Sequence, residues 1–271
     1  MKKNITIGVV GFGNMGSASA EAISGAGGYQ LLIYDQNKAK TRRARGFQKA
    51  KDIEEIIQGC QILILAIKPQ DLDQFLRRNQ NSIVKNKPLL VSLLAGVATK
   101  TIEAELPKVK VVRVMPNLAI KVKEGFTFIA AGSLAAKNDL KQVKKIFSLM
   151  GEVVEGKEAL IDKITALSGS GPGFVYYFME SFYKAAMKMG FKKKEAKKIV
   201  AQTFKGASLL ASQPDKDFFK LLRSVASPGG TTEAGISFFD QAKLSEKISQ
   251  GIYKAYSRAK KISLNTKRRK S

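Results

Sequence analysis

Three glycines near the N-terminus have the spacing of a phosphate-binding turn. The segment GFGNMG matches the pattern G-x-G-x-x-G and directly follows the apolar run 5–10. The first glycine allows a tight turn, the second lets a pyrophosphate approach the backbone, and the third lets the next helix pack closely on the strand. The start of that helix offers free N–H groups and a positive dipole end to the phosphates. The predicted dinucleotide-binding residues here are Gly11, Phe12, Gly13, Asn14, Met15 and Gly16.

Asp35 stands at the position where a dinucleotide-binding site has an acidic residue. Asp35 lies about 20 residues beyond the third glycine, at the end of the second apolar run, where a carboxylate accepts hydrogen bonds from the adenosine ribose. A carboxylate at this place repels a 2′-phosphate and favours NADH. Other nearby residues could instead supply hydrogen-bond donors or positive charge to that phosphate and favour NADPH, and they are Asn37, Lys38, Lys40, Arg42 and Arg43. These residues leave the choice between NADPH and NADH open.

Two more loops follow apolar runs, at the sheet edge where doubly wound folds bind ligands. Lys68 stands directly after a buried run and before a proline, which suits a residue that faces a ligand. We expect six residues of these loops to contribute to the cofactor site. They are Ala66, Ile67, Lys68, Pro69, Leu94 and Ala95.

A second glycine-rich loop, SPGGTTE at 227–233, lies between two segments of helical spacing. Its glycines let the backbone curl, and Glu233 suits the first turn of a following helix. A loop of this kind offers several N–H groups to a small carboxylate. A plain connection between two helices is the alternative interpretation.

The composition excludes several kinds of chemistry. The 271 residues include no His and one Cys, Cys60, which excludes His-dependent triads, metal sites built from His or Cys, and an intrachain disulfide. The formal net charge is +25, a balance typical of proteins that bind nucleic acid. However, both halves share the excess, with 24 basic and 13 acidic residues in 1–155 and 23 and 9 in 156–271, and Trp is absent. We therefore expect no specific nucleic-acid partner.

The elements that must position these loops fall into two patterns. Short apolar runs separated by helix-length segments predict an α/β fold, with a Rossmann-like, doubly wound and mostly parallel sheet. From about residue 161 the spacing is helical throughout, which predicts an all-helical C-terminal dimerisation domain. The predicted strands are 5–10, 30–34, 62–67, 89–93, 109–114 and, as a sixth, 126–131.

These patterns predict two domains and a tail. We expect an NAD(P)-binding domain at 1–156, a helical substrate-binding and dimerisation domain at 157–266, and a basic tail at 267–271. No stretch approaches the ~18 apolar residues that span a bilayer, so no membrane partner is expected. The low cysteine content is typical of a reducing compartment and predicts a cytoplasmic protein.

Five motifs together resemble the pyrroline-5-carboxylate reductase family. They are GFGNMG at 11–16, AIKP at 66–69, RVMPN at 113–117, LSGSGPG at 167–173 and SPGGTTEAGI at 227–236. The resemblance implies a Rossmann domain and a helical dimerisation domain, with dimers often assembling into decamers. It also implies NAD(P)H-dependent reduction of the cyclic imine 1-pyrroline-5-carboxylate to L-proline, the last step of proline synthesis.

The resemblance further implies roles for individual residues. The Ser227 hydroxyl and the backbone around Gly230, Thr231 and Thr232 would bind the substrate carboxylate. The Thr232 hydroxyl would act at the ring nitrogen, and Glu158 would lie close to the bound ligand. Two sites depart from the family: Arg223 and Ser224 stand where it often has an Asp and a residue that can touch the cofactor, and Ile53 stands where some relatives have an Asn that helps to bind the adenosine phosphate.

Two other functions fit parts of the sequence. A β-hydroxyacid dehydrogenase-like oxidoreductase also starts with a similar glycine motif, but that family needs a lysine on an interior helix, and the apolar face that begins at Val175 carries none. A basic nucleic-acid-binding protein is the alternative from a different class. Of the three functions, imine reduction is most consistent with the absence of histidine. Solvent can protonate a cyclic imine, so the protein need only position the substrate and provide a polar environment for it.

Overall fold

The computed structural model of the chain describes residues 5–42, 44–213 and 215–268. Eight strands form one sheet, in the order β3-β2-β1-β4-β5-β6-β7-β8. The strands are β1 Ile5–Val10, β2 Tyr29–Tyr34, β3 Gln48–Lys49, β4 Ile62–Leu65, β5 Leu89–Ser92, β6 Val111–Pro116, β7 Gly125–Ala131 and β8 Gly151–Glu155.

The sheet is mostly parallel, and the order in which its strands are added reverses between β1 and β4. β2 and β3 lie on one side of β1, whereas β4 and the later strands lie on the other. All neighbouring pairs are parallel except β6 with β7. Val10, the last residue of β1, pairs with Tyr34 and Leu65, so three strands end at one edge of the sheet. This edge is the switch point at which such folds bind ligands, and the predicted fold class is confirmed.

Helices flank the sheet and form most of the described chain after it. Those that accompany the strands are α1 Asn14–Ala26, α2 Lys38–Arg42, α3 Ile53–Gly59, α4 Leu72–Asn86, α5 Thr99–Glu103, α6 Lys137–Phe147 and α7 Ile161–Ile164. The later ones are α8 Gly171–Lys188, α9 Lys193–Ala211, α10 Phe218–Val225, α11 Thr231–Gln241 and α12 Leu244–Arg268. None of the helices within the described ranges is long and apolar enough to cross a membrane.

The core covers both faces of the sheet. All four residues of β4 are buried, and because successive side chains of a strand point to opposite faces, they belong to two different clusters. Ile62 and Ile64 join the cluster on one face, and Leu63 and Leu65 join the cluster on the other. This explains why the strands are continuous apolar runs rather than alternating ones.

Three features of the sheet were not predicted. β3 is a polar edge strand of two residues, too short to leave a pattern. β8 has one buried residue, Val153, among half-buried and exposed neighbours. The predicted sixth strand is present as β7, but it runs antiparallel to β6.

The chain divides into two compact units. The first unit contains the described residues up to Ser170 together with α12 from Ala255 onward, and the second contains Gly171–Lys254. The sequence-based boundary between 156 and 157 stays a prediction. α12 extends to Arg268, so the predicted basic tail begins inside a helix, and its remainder, 269–271, lies outside the described residues.

Candidate functional site

The glycine turn joins β1 to α1 at the switch point. Gly11 has φ 96°, and a Cβ there would lie 2.5 Å from the Ala66 carbonyl oxygen. A Cβ on Gly16 would collide with the Gly11 carbonyl oxygen. A Cβ on Gly13, by contrast, would meet nothing within 4 Å. Packing therefore requires the first and third glycines, whereas Gly13 leaves open space at the start of the helix.

The start of α1 carries positive charge without a protein counter-ion in its first turn. That turn contains no acidic residue, and Gly13 at the cap position has no side chain to accept from the first N–H groups. Lys121 places its Nζ 3.4 Å from the Asn14 Oδ1 and adds a cation there. No motif marked Lys121, which is distant from Asn14 in sequence. The arrangement suits a bound phosphate.

A cleft of ≈ 300 Å³ opens at the ends of β1, β2 and β4. The predicted cofactor residues that line it are Gly11, Gly13, Asp35, Asn37, Ala66, Ile67 and Lys68. Lys40 and Ile53 line it as well, so an apolar side chain faces the cleft at the position where the family resemblance implies an asparagine in some members. Five further lining residues carried no sequence signal, and they are Val10, Tyr34, Gln36, Asp71 and Phe75.

The other predicted cofactor residues do not line this cleft. Phe12 and Leu94 are buried in the two core clusters, and the Phe12 ring packs edge-on against Phe47 at a centroid distance of 5.8 Å. Gly16 is buried beneath the turn. The remaining residues of this group are Asn14, Met15, Lys38, Pro69 and Ala95. Their contacts with a cofactor stay predictions.

Asp35 connects the glycine turn to the end of β2. Its Oδ2 accepts from the Phe12 N–H at 2.7 Å and from the Lys40 ammonium at 3.1 Å, and its Oδ1 accepts from the Asn37 N–H at 2.8 Å. Partial burial raises the pKa of Asp35, but these donors and the charge of Lys40 together outweigh it and hold the pKa below its ordinary value. An ionised carboxylate therefore faces the cleft at neutral pH.

Glu158 lies in the first unit, and residues from two other segments bind its carboxylate. The Thr99 N–H and Arg113 Nη1 donate to Oε1 at 2.8 Å and 3.0 Å, and the Thr99 hydroxyl donates to Oε2 at 2.8 Å. The Arg113 side chain is 5% exposed, and among the described residues its Nε and Nη2 have no partner. RVMPN includes Arg113, but nothing in the sequence linked it or Thr99 to Glu158.

The RVMPN and LSGSGPG motifs meet within the first unit. Asn117 Nδ2 donates to the Ser168 hydroxyl at 3.1 Å. Asn117 Oδ1 accepts from the N–H groups of Ala119 and Phe126 and so closes the turn after β6. Ser168 lies in a π-helical turn, Thr165–Gly169, a rare conformation that is frequent at functional sites.

The SPGGTTE loop forms a tight turn into α11 in the second unit. Gly229 has φ 70°, and its N–H donates to Glu233 Oε2 at 2.7 Å. The Gly230 N–H donates to the Ser227 carbonyl at 2.9 Å, and Gly230 is the N-cap residue. The N–H groups in the first turn of α11 therefore have no acceptor within the helix. Thr231 is exposed and Thr232 half-buried at this end, where the backbone suits a small carboxylate.

The doubly wound sheet and the glycine turn at its switch point define a dinucleotide-binding protein of the Rossmann class. Comparison with known proteins agrees with this class and extends it. The family model described as NADP oxidoreductase coenzyme F420-dependent matches residues 6–96, and the model described as pyrroline-5-carboxylate reductase dimerisation matches residues 158–262.

Relatives match over nearly the whole chain. Pyrroline-5-carboxylate reductase of Methanosarcina acetivorans is 35% identical, covering 96% of this chain and 98% of that protein. Pyrroline-5-carboxylate reductase 2 of Bacillus subtilis is 33% identical, covering 97% and 95%. The crystal structure of Plasmodium falciparum pyrroline carboxylate reductase with NADP bound has a TM-score of 0.88 at 29% identity and covers 96% of this chain and 99% of that one. The chain belongs to the pyrroline-5-carboxylate reductase family.

Proposed function

We propose that this protein reduces 1-pyrroline-5-carboxylate to L-proline with NAD(P)H, as the last step of proline biosynthesis. Full-length similarity to reductases of that name carries the proposal. The site geometry supports it, because the chain offers a dinucleotide cleft in one unit and a carboxylate-binding turn in the other. The SPGGTT turn has no role in the mechanism of a β-hydroxyacid dehydrogenase, which depends on a lysine of an interior helix.

The residues present fit a dinucleotide. The open space at Gly13 and the uncapped start of α1 suit the pyrophosphate, with Lys121 as an additional cation. Asp35 and Asn37 would bind the adenosine ribose. Ile67 and Lys68 would line the part of the cleft through which the dinucleotide runs. A bound nicotinamide supplies the hydride that the imine carbon receives.

The turn before α11 would hold the substrate. The Ser227 hydroxyl and the backbone around Gly230, with the N–H groups of Thr231 and Thr232, would bind the carboxylate. The Thr232 hydroxyl would orient the ring nitrogen and hydrogen-bond the amine as it forms. A protonated imine is electrophilic by itself, so position is the main contribution of these groups to catalysis.

We propose that NADH binds better than NADPH in this cleft. The ionised Asp35 carboxylate repels a 2′-phosphate, and the nearest cation, Lys40, is already paired with Asp35 at 3.1 Å. Ile53 offers no hydrogen bond at the position where some relatives have an asparagine. NADPH binding is expected to be weaker rather than absent, because Lys38 lies nearby in sequence and α2 carries further positive charge.

Self-association would complete the second unit. Its helices leave large apolar side chains exposed, among them Tyr177, Phe218 and Phe238. We propose that two copies bury these faces against each other, as expected for a chain with this dimerisation domain. A decamer, a cytoplasmic location and the absence of a specific nucleic-acid partner are proposed from the sequence alone.

One side-by-side assay tests the reaction. Purified protein is supplied with pyrroline-5-carboxylate and either NADH or NADPH, and cofactor oxidation is followed by absorbance. We expect turnover with both and a higher kcat/KM with NADH. Oxidation of 3-hydroxyisobutyrate serves as the control for the alternative dehydrogenase. Activity with neither reduced cofactor would overturn the proposal.

A further inference from the structure

We infer that Thr99 and Arg113 are positioning residues which, through Glu158, hold the loop 93–98 in the conformation that receives the dinucleotide. The inference rests on the dinucleotide-binding part of the proposed function and on the predicted cofactor contacts of Leu94 and Ala95. Three observations carry it: a buried cation with one carboxylate partner, a threonine that binds both oxygens of that carboxylate, and a loop that is fixed along its length.

The buried cation determines where the carboxylate lies. Arg113 is on β6, and its guanidinium is almost completely removed from water. A buried charge is strongly unfavourable without an opposite charge. Glu158 supplies that charge at 3.0 Å, and Nε and Nη2 have no partner among the described residues. Arg113 therefore depends on Glu158, and the direction of the Glu158 side chain is set accordingly.

Thr99 then connects the carboxylate to the loop. Its N–H and its hydroxyl donate to different oxygens of Glu158, each at 2.8 Å, which opposes rotation of the carboxylate. Thr99 is the first residue of α5 and directly follows the loop 93–98. The pair of bonds therefore fixes the end of that loop.

The loop is held at its start and middle as well. The Leu93 N–H donates to the Leu65 carbonyl at 2.9 Å, and Leu94 is buried in the core. Gly96 has φ 75°, and a Cβ there would lie 2.5 Å from Cγ2 of Ile262 on α12. The exposed Ala95 is thus presented beside the end of β4, which leads into the cleft residues Ala66 and Ile67.

Glu158 keeps the capacity for one more bond. A carboxylate offers about four acceptor positions, and Thr99 and Arg113 occupy three of them. The side chain is 25% exposed, so a ligand donor can reach it. The same network that orders the loop therefore also orients a carboxylate with a free acceptor position, and the family resemblance implies that Glu158 lies close to the bound ligand.

The test is a titration of the whole protein with NADH, followed by fluorescence in the absence of substrate. Thr99→Val keeps the side-chain shape and removes the hydroxyl, and Thr99→Ser keeps the hydroxyl. Losing one hydrogen bond to a charged group predicts a rise of about tenfold in the Kd for NADH. We expect Thr99→Val to show this rise, a matching rise in KM for NADH and a kcat within about twofold of wild type. Thr99→Ser should restore the wild-type Kd.

The control variant is Thr127→Val, which removes a hydroxyl from another buried threonine, on β7. It should leave the Kd for NADH unchanged even where it lowers the thermal midpoint. A wild-type Kd in Thr99→Val, or an equal loss in Thr127→Val, would overturn the inference. If Thr99→Val does not fold, Thr99→Ala replaces it, because it also removes the hydroxyl that donates to Glu158, and a wild-type Kd there would be equally decisive. Failure of the proposed reaction is seen separately, as a wild-type protein that binds NADH but does not reduce pyrroline-5-carboxylate.

Discussion

The two units of this chain bury their apolar side chains to very different extents. In the first unit Ile7, Ile33 and Ile64 are fully buried between the sheet and its flanking helices. In the second unit the buried residues within the described ranges are Ala186, Ala196 and Val200, whereas Tyr177 is 72% and Phe238 67% exposed. Burying a large apolar side chain contributes ~1.5–3 kcal/mol. The first unit therefore has its own core, and the second needs another copy of the chain to complete one.

The largest expected effects separate these two kinds of core. Ile64→Ala should lower the free energy of unfolding by about 2–5 kcal/mol at any protein concentration, because it leaves a cavity in a closed core. Phe238→Ala should change that free energy little in dilute protein and should instead weaken self-association. Denaturation at several concentrations and sedimentation velocity measure the two effects. A stable wild-type monomer at micromolar concentration would contradict the comparison.

Two glycines of the first unit separate packing from ligand binding. Gly16 is required by the packing of the protein itself, whereas Gly13 borders the space expected for the cofactor phosphates. Gly16→Ala should destabilise the protein by about 1–3 kcal/mol, because the added Cβ collides with the Gly11 carbonyl oxygen. Gly13→Ala should leave the thermal midpoint within about a degree of wild type and raise the Kd for NADH at least about tenfold, since its Cβ enters only the phosphate space. If the two variants were equally unstable, Gly13 would have a packing role.

Thr232 tests whether the second unit contributes chemistry as well as an interface. Thr232→Ala should lower kcat/KM for pyrroline-5-carboxylate about tenfold or more, equivalent to ~1.4 kcal/mol for one oriented hydrogen bond. Thr231→Ala is the matched control for the neighbouring hydroxyl and should have a smaller effect. Steady-state kinetics with saturating NADH distinguish them. Wild-type kinetics in Thr232→Ala would remove the catalytic role.

Asp35 tests the cofactor preference of the first unit. Asp35→Ala removes the negative charge and frees Lys40, so the ratio of kcat/KM for NADPH to that for NADH should rise by roughly tenfold. Because Asp35 also accepts the Phe12 N–H, some loss of stability is expected in the same variant. Glu152→Ala, which removes an exposed carboxylate on β8 outside the cleft lining, is the control. An unchanged ratio would show that Asp35 does not face the ribose.

The smallest expected effect concerns Cys60, which should react very slowly with thiol reagents in the folded protein. Burial against β1 raises the pKa of the Cys60 thiol to about 12, because the charged thiolate is disfavoured there. At pH 8 a thiol reagent should therefore react only when the first unit opens, and its rate should follow global unfolding. Comparison of labelling and unfolding rates checks this, and fast labelling of the folded protein would contradict a closed core.

Local patterns predicted the parts of the site that depend on neighbouring residues. The glycine turn, Asp35 and the loop after β4 were found from spacing alone and lie together at one cleft. The contacts of Glu158 could not be found in this way, because Thr99 and Arg113 come from elements more than 40 residues away in the sequence. Lys121 beside Asn14 is a similar case, with a separation of 107 residues. The motifs also identified the family, and the full-length relatives confirm that identification.

The sequence by itself determined the alternation of apolar strands with helices in the first half, the phosphate-binding turn and the change of pattern near residue 161, because each depends on backbone preferences and on apolar spacing within a short segment. Only the tertiary structure decided which strand turns antiparallel, which polar groups converge on Glu158 and which apolar faces stay uncovered. Those outcomes depend on pairing between distant segments, and the free energy of such a pair belongs to neither segment alone.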